Sequence, residues 1–387
     1  MELSIYFKQI EFYNSEYTPE DLGSTIALFN DGEDFPNPAD FDIVLIGVLE
    51  DRLSINNKGC AEAPDAIRKQ FYKLKNNWED CKIADLGNIQ PGESVEDTYF
   101  AVRQVVAECV KMGTLPVILG GSQDLTFANY QAYEELEQVV NIVSIDNRFD
   151  LGDVNESISS RSFLNKIILH QPNYLFNYSN LGYQTYFTSL EERQLMERLY
   201  FDVYRLGEVK ADIREVEPVV RNADVLSFDI SAIRFADAPG NKNTTPNGFN
   251  GEEACAITRY AGLSDKLSSI GFYELNPSVD QMDQTSFLVS EMLWYFVEGF
   301  YNRKYDTINR DKKELLKYIV ATNTEANEII FYKNLRSDRW WMDVPYPESK
   351  LSRYRRHQLV PCSYQDYQLA CNDEVPQKWW RNYQKLH

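Results

Sequence analysis

Acidic residues occur in this chain directly after several stretches that are rich in valine, isoleucine and leucine. Asp146 and Asp150 close one such stretch and Asp229 closes another, whereas Glu274 follows a third and Gly120 ends a fourth. Carboxylate oxygens are the ligands that hard divalent cations prefer, and carboxyl groups also act as general acids and bases. Ordinary solvated carboxylates in loops would give the same pattern, so the pattern alone leaves both interpretations open.

The apolar stretches before these residues are predicted to be strands of a parallel sheet. Residues 42–49 (DIVLIGVL) are almost continuously apolar, as in a strand that is covered on both faces. Strands that alternate with helices form a doubly wound sheet, whose ligand crevice lies beyond the carboxyl ends of the strands. We therefore expect the acidic residues at this crevice. Further strands are predicted at 82–87, 115–121, 139–150, 223–231 and 266–277, and helices at 63–74, 95–113, 124–137, 251–262 and 285–301.

The composition is typical of a folded protein. The chain has 387 residues, of which 43% are hydrophobic, enough for one large domain or two ordinary ones. A net charge of −20 disfavours contact with a phosphate backbone over most of the surface. A signal-peptide pattern is absent, and so is any run of about 18 apolar residues. We expect no nucleic-acid partner, no membrane insertion and a cytoplasmic location.

Residues that offer nitrogen or sulfur ligands are scarce. The histidines are His170, His357 and His387, and none of them lies in a metal-ligand motif. His170 ends the apolar run IILH, which predicts a strand end, and we expect a structural role for it. The six cysteines lack CxxC spacing, which argues against a zinc ribbon and against a disulfide framework.

The chain changes character after residue 301. Residues 331–387 contain ten Lys or Arg against six Asp or Glu, within a strongly acidic chain. We predict one domain at 1–301 and an extension at 302–387. The extension is expected to dock on the acidic body of its own chain, on a neighbouring subunit or on a protein partner, and opposing charge disfavours stacking on nucleic-acid bases. The candidate interaction residues are Trp340, Trp341, Arg355, Arg356, Trp379 and Trp380.

Four segments, in the same order along the chain, resemble the signature motifs of the ureohydrolase family, which includes arginase, agmatinase and formimidoylglutamase. These segments are GGSQD from Gly120, DNRFD from Asp146, SFDIS from Ser227 and ELNP from Glu274. Two lesser matches lie at 57–68 and, as SSRSF, at 159–163, and the second is similar to the formimidoylglutamase branch. The resemblance implies a three-layer α/β/α fold with a mostly parallel, doubly wound sheet, here followed by an aromatic-rich C-terminal extension.

The resemblance also implies a pair of Mn²⁺ ions, held by four carboxylates and two imidazoles, that activate water to attack a guanidinium or formimidoyl carbon. Both histidines and one aspartate of that ligand set are replaced here. We therefore expect no metal cofactor, or at most one weakly bound divalent cation, and not two Mn²⁺. An alignment shift that places Asp124 at the position of Gln123 would restore a carboxylate but no histidine. The matching positions are Gln123, Asp146, Arg148, Asp150, Asp229 and Ser231.

Two of the matched positions have alternative interpretations. Arginine stays protonated and has no acceptor, so Arg148 is expected to replace the second metal by pairing with Asp146 and Asp229. Alternatively the site has drifted and Arg148 is an ordinary surface residue. Glu274 matches the residue that binds the substrate's guanidinium or formimidoyl group in this family. It either preserves a cation-binding pocket or is a hydrogen-bonded, buried carboxylate of the Glu-x-Asn-Pro turn.

Three functions remain open at this stage. The first is a pseudoenzyme that has lost binuclear catalysis and acts as a binding or assembly component through its C-terminal extension. The second is a divergent hydrolase of linear C–N bonds, similar to formimidoylglutamase. The third is a sensor whose crevice binds a small amino-acid derivative without turnover. Replacement of three of the six ligands favours the first, because activation of water at neutral pH needs strong Lewis acidity.

Overall fold

A computed structural model of the chain describes residues 3–11, 17–30, 34–80, 82–153, 155–306, 315–323, 328–347 and 354–387. Within these residues the chain forms a large, mostly parallel sheet between two layers of helices, followed by a small antiparallel sheet. The three-layer, doubly wound architecture that the sequence predicts is therefore confirmed.

The central sheet has ten strands. They are β1 (Phe7–Lys8), β2 (Ala27–Leu28), β3 (Ile43–Val48), β4 (Ile83–Ile89), β5 (Leu115–Leu119), β6 (Val140–Ile145), β7 (Leu175–Tyr183), β8 (Asp202–Arg205), β9 (Val225–Asp229) and β10 (Ser269–Tyr273). Their order across the sheet is β1-β4-β3-β5-β10-β9-β6-β7-β8, with β2 also paired to β4. β1 runs antiparallel to β4, and the other pairings are parallel.

Nine α-helices of the described residues accompany this sheet. They are α1 (Ala63–Phe71), α2 (Val95–Met112), α3 (Leu125–Glu135), α4 (Phe163–Leu169), α5 (Leu190–Arg198), α6 (Leu206–Ala211), α7 (Val216–Arg221), α8 (Gly251–Gly262) and α9 (Gln284–Tyr301). No helix in the described part of the chain combines the length and the apolar character needed to cross a bilayer.

Apolar side chains bury both faces of the sheet, which is why its strands are continuously hydrophobic. Ile43 and Leu45 of β3 join the core on one face, whereas Val44 and Ile46 join the core on the other. All six strands and five helices predicted from the sequence are present, with ends that differ by a few residues. The largest difference is at 139–150, where the strand ends at Ile145 and the acidic residues belong to the following loop.

The part of the chain between β6 and β9 contains elements that the sequence analysis did not predict. These are β7, β8 and the helices α4 to α7. The prediction that His170 lies at a strand end is wrong, because IILH forms the last turn of α4. Its Nε2 lies 2.9 Å from Glu134 Oε2, and its ring contacts Phe127 and Tyr130 edge to face. These contacts give His170 a structural environment.

After α9 the chain forms a second, smaller structure, called here the C-terminal region (residues 315–387). It consists of strands β11 (Leu315–Ala321), β12 (Glu328–Asn334), β13 (Trp340–Asp343) and β14 (Leu359–Cys362), and helices α10 (Tyr364–Cys371) and α11 (Gln377–Leu386). The four strands pair antiparallel in chain order. Phe331, Met342 and Trp379 form its core together with Val139 and Phe176 of the large domain, so the two parts share apolar contacts.

Cationic side chains attach the C-terminal region to acidic residues of the large domain. Arg339, Arg356 and Arg381 form ion pairs with Glu217, Asp224 and Asp202, at N···O distances of 3.0, 2.7 and 3.1 Å, respectively. Opposite charges therefore hold the region against its own chain. The domain boundary between residues 301 and 302 stays a prediction, and α9 ends at Tyr301.

A buried arginine at the end of α7 joins the two parts more closely. The Arg221 guanidinium lies over the Trp341 ring, with Cζ 4.4 Å from the ring centroid. Its Nη2 also donates to the carbonyl oxygens of Trp340 at 3.2 Å and Cys362 at 3.5 Å. Both strands of the β13–β14 pair thus accept hydrogen bonds from one side chain of the large domain.

The candidate interaction residues of the extension occupy two environments. Trp340, Trp341 and Trp379 are 8%, 6% and 3% exposed, so they pack inside the protein. Trp380 is 37% exposed, and Arg355 and Arg356 are also exposed. Association with a protein partner or with another copy of the chain stays a prediction.

A buried histidine at this junction predicts a pH dependence of stability. His357 stacks on Phe176 with ring centroids 4.1 Å apart, and burial, followed by repulsion from Lys266 and Arg356, holds its pKa well below the ordinary 6.5. Below about pH 6.5 the unfolded chain binds a proton at this residue and the folded chain does not, so acid favours unfolding. The unaltered protein should therefore lose unfolding free energy between about pH 7.5 and 5.5. We expect this loss to be about 1 kcal/mol smaller in His357→Phe, which keeps the stacking.

Urea unfolding of both proteins at the two pH values measures this difference. The exposed His387 provides the matched control, because His387→Phe should leave the pH dependence as it is in the unaltered chain. An identical pH dependence in His357→Phe and the unaltered protein would contradict the assignment.

Candidate functional site

Four neighbouring strands in the centre of the sheet end at one edge and bring the predicted site residues together. β5, β10, β9 and β6 are adjacent in that order. Asp229 pairs with Tyr273 in register, and Ile145, the residue before Asp146, pairs with Phe228. Asp146, Asp229 and Glu274 therefore leave the sheet at the same level, which is the crevice that the strand order predicts.

Asp146, Asp150 and Asp229 form a compact cluster of buried carboxylates. One carboxylate oxygen from each lies within 4.8 Å of the others. The three residues are 2%, 6% and 6% exposed. Burial, together with the negative charge of a neighbouring aspartate, raises the pKa of Asp150 to about 7 and that of Asp229 to about 8. Burial and Asp150 also raise the pKa of Asp146 well above its usual range. The cluster is therefore short of positive charge.

The turns after the strands orient these carboxylates. Asp146 Oδ1 accepts a hydrogen bond from the Arg148 backbone N–H at 3.0 Å, and Asp229 Oδ1 accepts one from the Ser231 N–H at 2.6 Å. Each aspartate thus uses one oxygen to fix its own loop. Asp150 has a φ of 52°, in the left-handed region that few residues adopt without a constraint. Strain at this position is consistent with a functional role for the carboxylate.

Gln123 lies in the loop after β5 and is fully buried. Its backbone N–H donates to Glu274 Oε1 at 3.0 Å, and its side-chain Nε2 donates to the Ser227 hydroxyl at 2.8 Å. Its side-chain oxygen Oε1 has no hydrogen-bond partner among the described residues. A buried amide oxygen without a donor is costly unless a cation or water satisfies it. This oxygen is a suitable ligand for a hard cation.

Asp124 does not take the place of Gln123. Its Oδ2 accepts a hydrogen bond from the Tyr99 hydroxyl at 2.6 Å, and the residue begins helix α3. The contacts of this loop therefore do not support the alignment shift that would place Asp124 at the ligand position of Gln123. Ser231 is also buried, and its carbonyl oxygen accepts a hydrogen bond from Asn147 at 2.8 Å.

Glu274 is held from three sides by hydrogen-bond donors. The Ser54 hydroxyl lies 3.3 and 3.0 Å from its two carboxylate oxygens, Asn57 Nδ2 donates to Oε2 at 2.8 Å, and the Gln123 N–H donates to Oε1. Burial, followed by the nearby charge of Asp229, raises its pKa to about 8. Its φ of 67° is again left-handed. The residue holds the turn after β10, and its carboxyl group interacts through space with Asp229 in the same crevice.

Two arginines stand beside the carboxylate cluster. Arg148 is half-buried, with its Cζ 4.0 Å from the centroid of the Phe187 ring. Arg161, from the SSRSF segment, donates from Nη2 to Asn243 Oδ1 at 2.8 Å. Their positive charges lower the pKa of Asp150 in opposition to its burial, so both act on the cluster through space.

The predicted pairing of Arg148 with Asp146 and Asp229 does not occur in the described part of the chain. The guanidinium stacks on Phe187, and no ion pair within 4.0 Å joins it to the aspartates. Arg148 contacts Asp146 through its backbone N–H, whereas its guanidinium lies over the Phe187 ring. The alternative, a drifted site in which Arg148 is an ordinary surface residue, stays a prediction, and Arg148 is half-buried.

Several residues of this site were missed by the sequence analysis. Arg161, Phe187 and Asn243 lie far apart in sequence and meet only through the fold, and Ser54 and Asn57 belong to the loop after β3. Asn57 begins the segment at 57–68 that resembles the family pattern, which is the signal that could have identified it. Arg161 could have been found as the cation within the SSRSF segment at 159–163.

The sheet and its cluster define an α/β protein with a group of buried carboxylates at the strand ends. Residues 41–298, more than half of the chain, match the model of the arginase family. The chain belongs to the arginase family, as its resemblance to the ureohydrolases predicted.

Formimidoylglutamases are among its most similar relatives. The enzyme of Staphylococcus haemolyticus (strain JCSC1435) is 26% identical over 265 residues, which cover 65% of this chain and 85% of the relative. That of Staphylococcus aureus (strain MSSA476) is 27% identical over 269 residues, covering 66% and 85%. These matches leave part of this chain uncovered, as expected for a chain with an additional C-terminal region.

Solved structures show the same fold. The Trypanosoma cruzi formiminoglutamase "with Mn2+2" has a TM-score of 0.66 and 21% identity, and the match covers 73% of this chain and 99% of that one. The formimidoylglutamase of Bacillus subtilis subsp. subtilis str. 168 has a TM-score of 0.64 and 18% identity, with 76% and 96% covered.

These findings correct the expectation about cofactors. The sequence analysis predicted no metal cofactor, or at most one weakly bound divalent cation and not two Mn²⁺, and this prediction is wrong. Asp146, Asp150 and Asp229 form a cluster with the composition and closeness of a metal site, and the formiminoglutamase of the same fold is described with Mn2+2. The number of replaced ligands does not decide whether a metal can bind, because the remaining carboxylates lie close together.

The cluster predicts a change in metal-free stability. Asp229→Asn removes one of three mutually repelling charges and keeps an oxygen that can accept the Ser231 N–H. Above pH 8, where Asp229 is ionised, we expect the metal-free variant to gain about 1–3 kcal/mol of unfolding free energy. Added Mn²⁺ should stabilise the unaltered protein and have a much smaller effect on the variant.

Urea unfolding in EDTA and in Mn²⁺ measures both effects. Asp153→Asn is the matched control, because Asp153 is exposed and lies outside the cluster. A metal-free Asp229→Asn protein that is less stable than the unaltered chain, together with no stabilisation of the latter by Mn²⁺, would disprove the interpretation.

Proposed function

We propose that this protein is a hydrolase of linear C–N bonds that acts on a formimidoyl-type substrate, as its formimidoylglutamase relatives are named for doing. The observation that carries the proposal is the convergence of Asp146, Asp150 and Asp229 at the carboxyl ends of central strands, beside a buried amide oxygen of Gln123 that lacks a donor. Membership of the arginase family and the formimidoylglutamase relatives support it.

The residues present fit a hard divalent cation such as Mn²⁺. Three carboxylates and one amide oxygen are the donor types that such ions prefer. Asp146, Asp150 and Asp229 would hold the metal, with Gln123 Oε1 as a neutral ligand. When bound, the metal would supply Lewis acidity to water at neutral pH.

The protein's own groups supply positioning around this centre. Ser54 and Asn57 fix the Glu274 carboxylate, and Gln123 connects it to the loop that carries the amide oxygen. A carboxylate held in this way can accept hydrogen bonds from an amidine group without a change of side-chain conformation. Glu274 is thus proposed to orient the substrate's formimidoyl nitrogen atoms, as the family resemblance implies.

Charge at the rim favours a substrate that carries carboxylates. Once a metal neutralises the three aspartates, the positive charges of Arg148 and Arg161 are no longer balanced by them. N-Formimidoylglutamate has two carboxylates, whereas agmatine is a dication that both arginines would repel. The arginines therefore support the formimidoyl amino acid over the guanidine substrate.

The other functions considered from the sequence have a weaker basis. Loss of catalysis is supported by no observation on the described residues, and a binding or assembly role of the extension stays a prediction. A sensor that binds its ligand without turnover would use the same crevice, and a cytoplasmic location is likewise still a prediction.

Activity after metal loading tests the proposal. We expect the protein, incubated with Mn²⁺ and desalted, to retain metal and to convert N-formimidoylglutamate and water to glutamate and formamide. Asp146→Asn should lose both retained metal, measured by plasma mass spectrometry, and at least about 100-fold in activity. Retained metal without turnover of N-formimidoylglutamate, agmatine or arginine would reject the hydrolase and favour a ligand sensor.

The arginine at the rim gives a separate prediction. Arg161→Gln should raise KM for N-formimidoylglutamate by about tenfold to a hundredfold and leave kcat within about twofold, because a charge-assisted contact to a non-reacting carboxylate is lost. Arg198→Gln, an exposed arginine on α5, is the control and should change neither constant. Equal KM values in the two variants would show that Arg161 does not bind the substrate.

A further inference from the structure

A second cavity lies at the opposite edge of the sheet, between the C-terminal region and the starts of β9 and β10. Its volume is about 360 Å³, within the range of small-molecule sites. Asn222 and Lys266, which line it, precede β9 and β10, whose other ends lead to Asp229 and Glu274. The cavity is therefore separate from the carboxylate crevice. Its cationic lining residues are Arg221, Lys266, Arg355 and Arg356.

The acidic residues near this cavity are already shared between cations. Asp224 accepts an ion pair from Arg356 at 2.7 Å and a longer one from Lys266 at 3.5 Å. Glu217 is likewise shared by Arg221 at 2.9 Å and Arg339 at 3.0 Å. Asp224 is thus one carboxylate for two cations, Arg356 and Lys266, which leaves an excess of positive charge on that side of the cavity. In a chain with a net charge of −20, such a local excess is unusual and attracts anions.

Two carboxylates also line the cavity, but both have partners. Asp306 forms an ion pair with Arg339 at 3.2 Å. Asp265 accepts a hydrogen bond from the Asp306 N–H at 2.9 Å and lies in the field of Arg303. Their charges are therefore directed to their own neighbours and do not balance the cations on the other wall.

Two cations of the cavity are incompletely paired in the described residues. Arg221 is 4% exposed, and its Nη1 has no hydrogen-bond partner there. Arg355 is exposed and forms no ion pair within 4.0 Å among the described residues. Burial, with repulsion from Arg356, lowers the pKa of Lys266 to about 8 against the attraction of Asp224. The Lys266 Nζ donates to the carbonyl oxygen of Asn222 at 2.8 Å and to its side-chain oxygen at 2.9 Å.

The remaining wall is apolar and aromatic. Trp341, Leu359 and Pro361 line it, and all three belong to β13 and β14 of the C-terminal region. Cations on one side and apolar groups on the other suit a ligand that has an anionic group and an organic body.

We propose that this cavity binds a small organic anion, with its phosphate or carboxylate group against Arg221, Lys266 and Arg355 and its organic body against Trp341. The guanidinium groups of Arg221 and Arg355 donate to the anion, the Lys266 ammonium attracts it by its charge, and Trp341 with its neighbours excludes water from the remainder. The site uses residues of both the large domain and the C-terminal region, and it does not depend on the proposed hydrolase activity.

Calorimetric titration of the full-length, metal-free protein with phenyl phosphate and with inorganic phosphate, at matched ionic strength, tests the site. We expect phenyl phosphate to bind at least about threefold more tightly than inorganic phosphate, because of the apolar wall. Arg355→Glu should weaken phenyl phosphate binding by at least about tenfold, since one donor is replaced by a repelling charge. Arg198→Glu, which changes the net charge equally on an exposed helix, should bind as the unaltered protein does.

Other results would overturn the proposal. Equal affinities for the two phosphates would mean that the site binds only the anionic group and that the apolar wall does not contact the organic body of a ligand. Equal weakening by Arg355→Glu and Arg198→Glu would mean that only net charge matters. Loss of binding in Arg161→Glu but not in Arg355→Glu would place the anion in the carboxylate crevice, and no binding to the unaltered protein would reject the site altogether.

Discussion

The large sheet holds three mutually repelling carboxylates close together, those of Asp146, Asp150 and Asp229. Adjacent parallel strands β6 and β9 fix two of these residues side by side through backbone hydrogen bonds. The strands cannot move apart because apolar cores cover both of their faces. Burial of hydrocarbon elsewhere in the domain therefore stabilises an arrangement of charges that would otherwise separate. A cation that enters the cluster meets ligands that are already in position and loses little free energy to their ordering.

The sequence predicts most of the central sheet, and its failures have a common physical cause. A strand such as β3 is covered on both faces, so its hydrophobic run is continuous and easily recognised. β7 is equally buried but contains Asn177, Ser179 and Asn180, which pair with one another, with neighbouring strands and with loops and so interrupt the apolar pattern. Helix α5 buries Met196 alone, so its amphipathic signal is weak. Hydrogen bonds between distant residues decide such elements, and a single sequence does not display them.

The candidate site was predictable as a set of positions but not as a geometry. Strand-end carboxylates are visible in the sequence because each one follows an apolar run. What the sequence does not contain is the direction of each side chain. Arg148 is two residues from Asp146, yet it turns to the Phe187 ring, and Arg161 approaches the same cluster from another loop. The ligand count alone therefore gave the wrong expectation about metal, since proximity of the carboxylates depends on strand register.

Arg221 of the large domain donates hydrogen bonds to a part of the chain that is synthesised later. This residue ends α7, the helix that leads into β9 and so to Asp229. The carbonyl groups that accept its hydrogen bonds belong to residues 119 and 141 positions further along the chain. Until Trp340 and Cys362 have been made, the Arg221 guanidinium lacks these two acceptors. The large domain thus gains these two hydrogen bonds at the start of a central strand only after a region 119 to 141 residues further along the chain has been made.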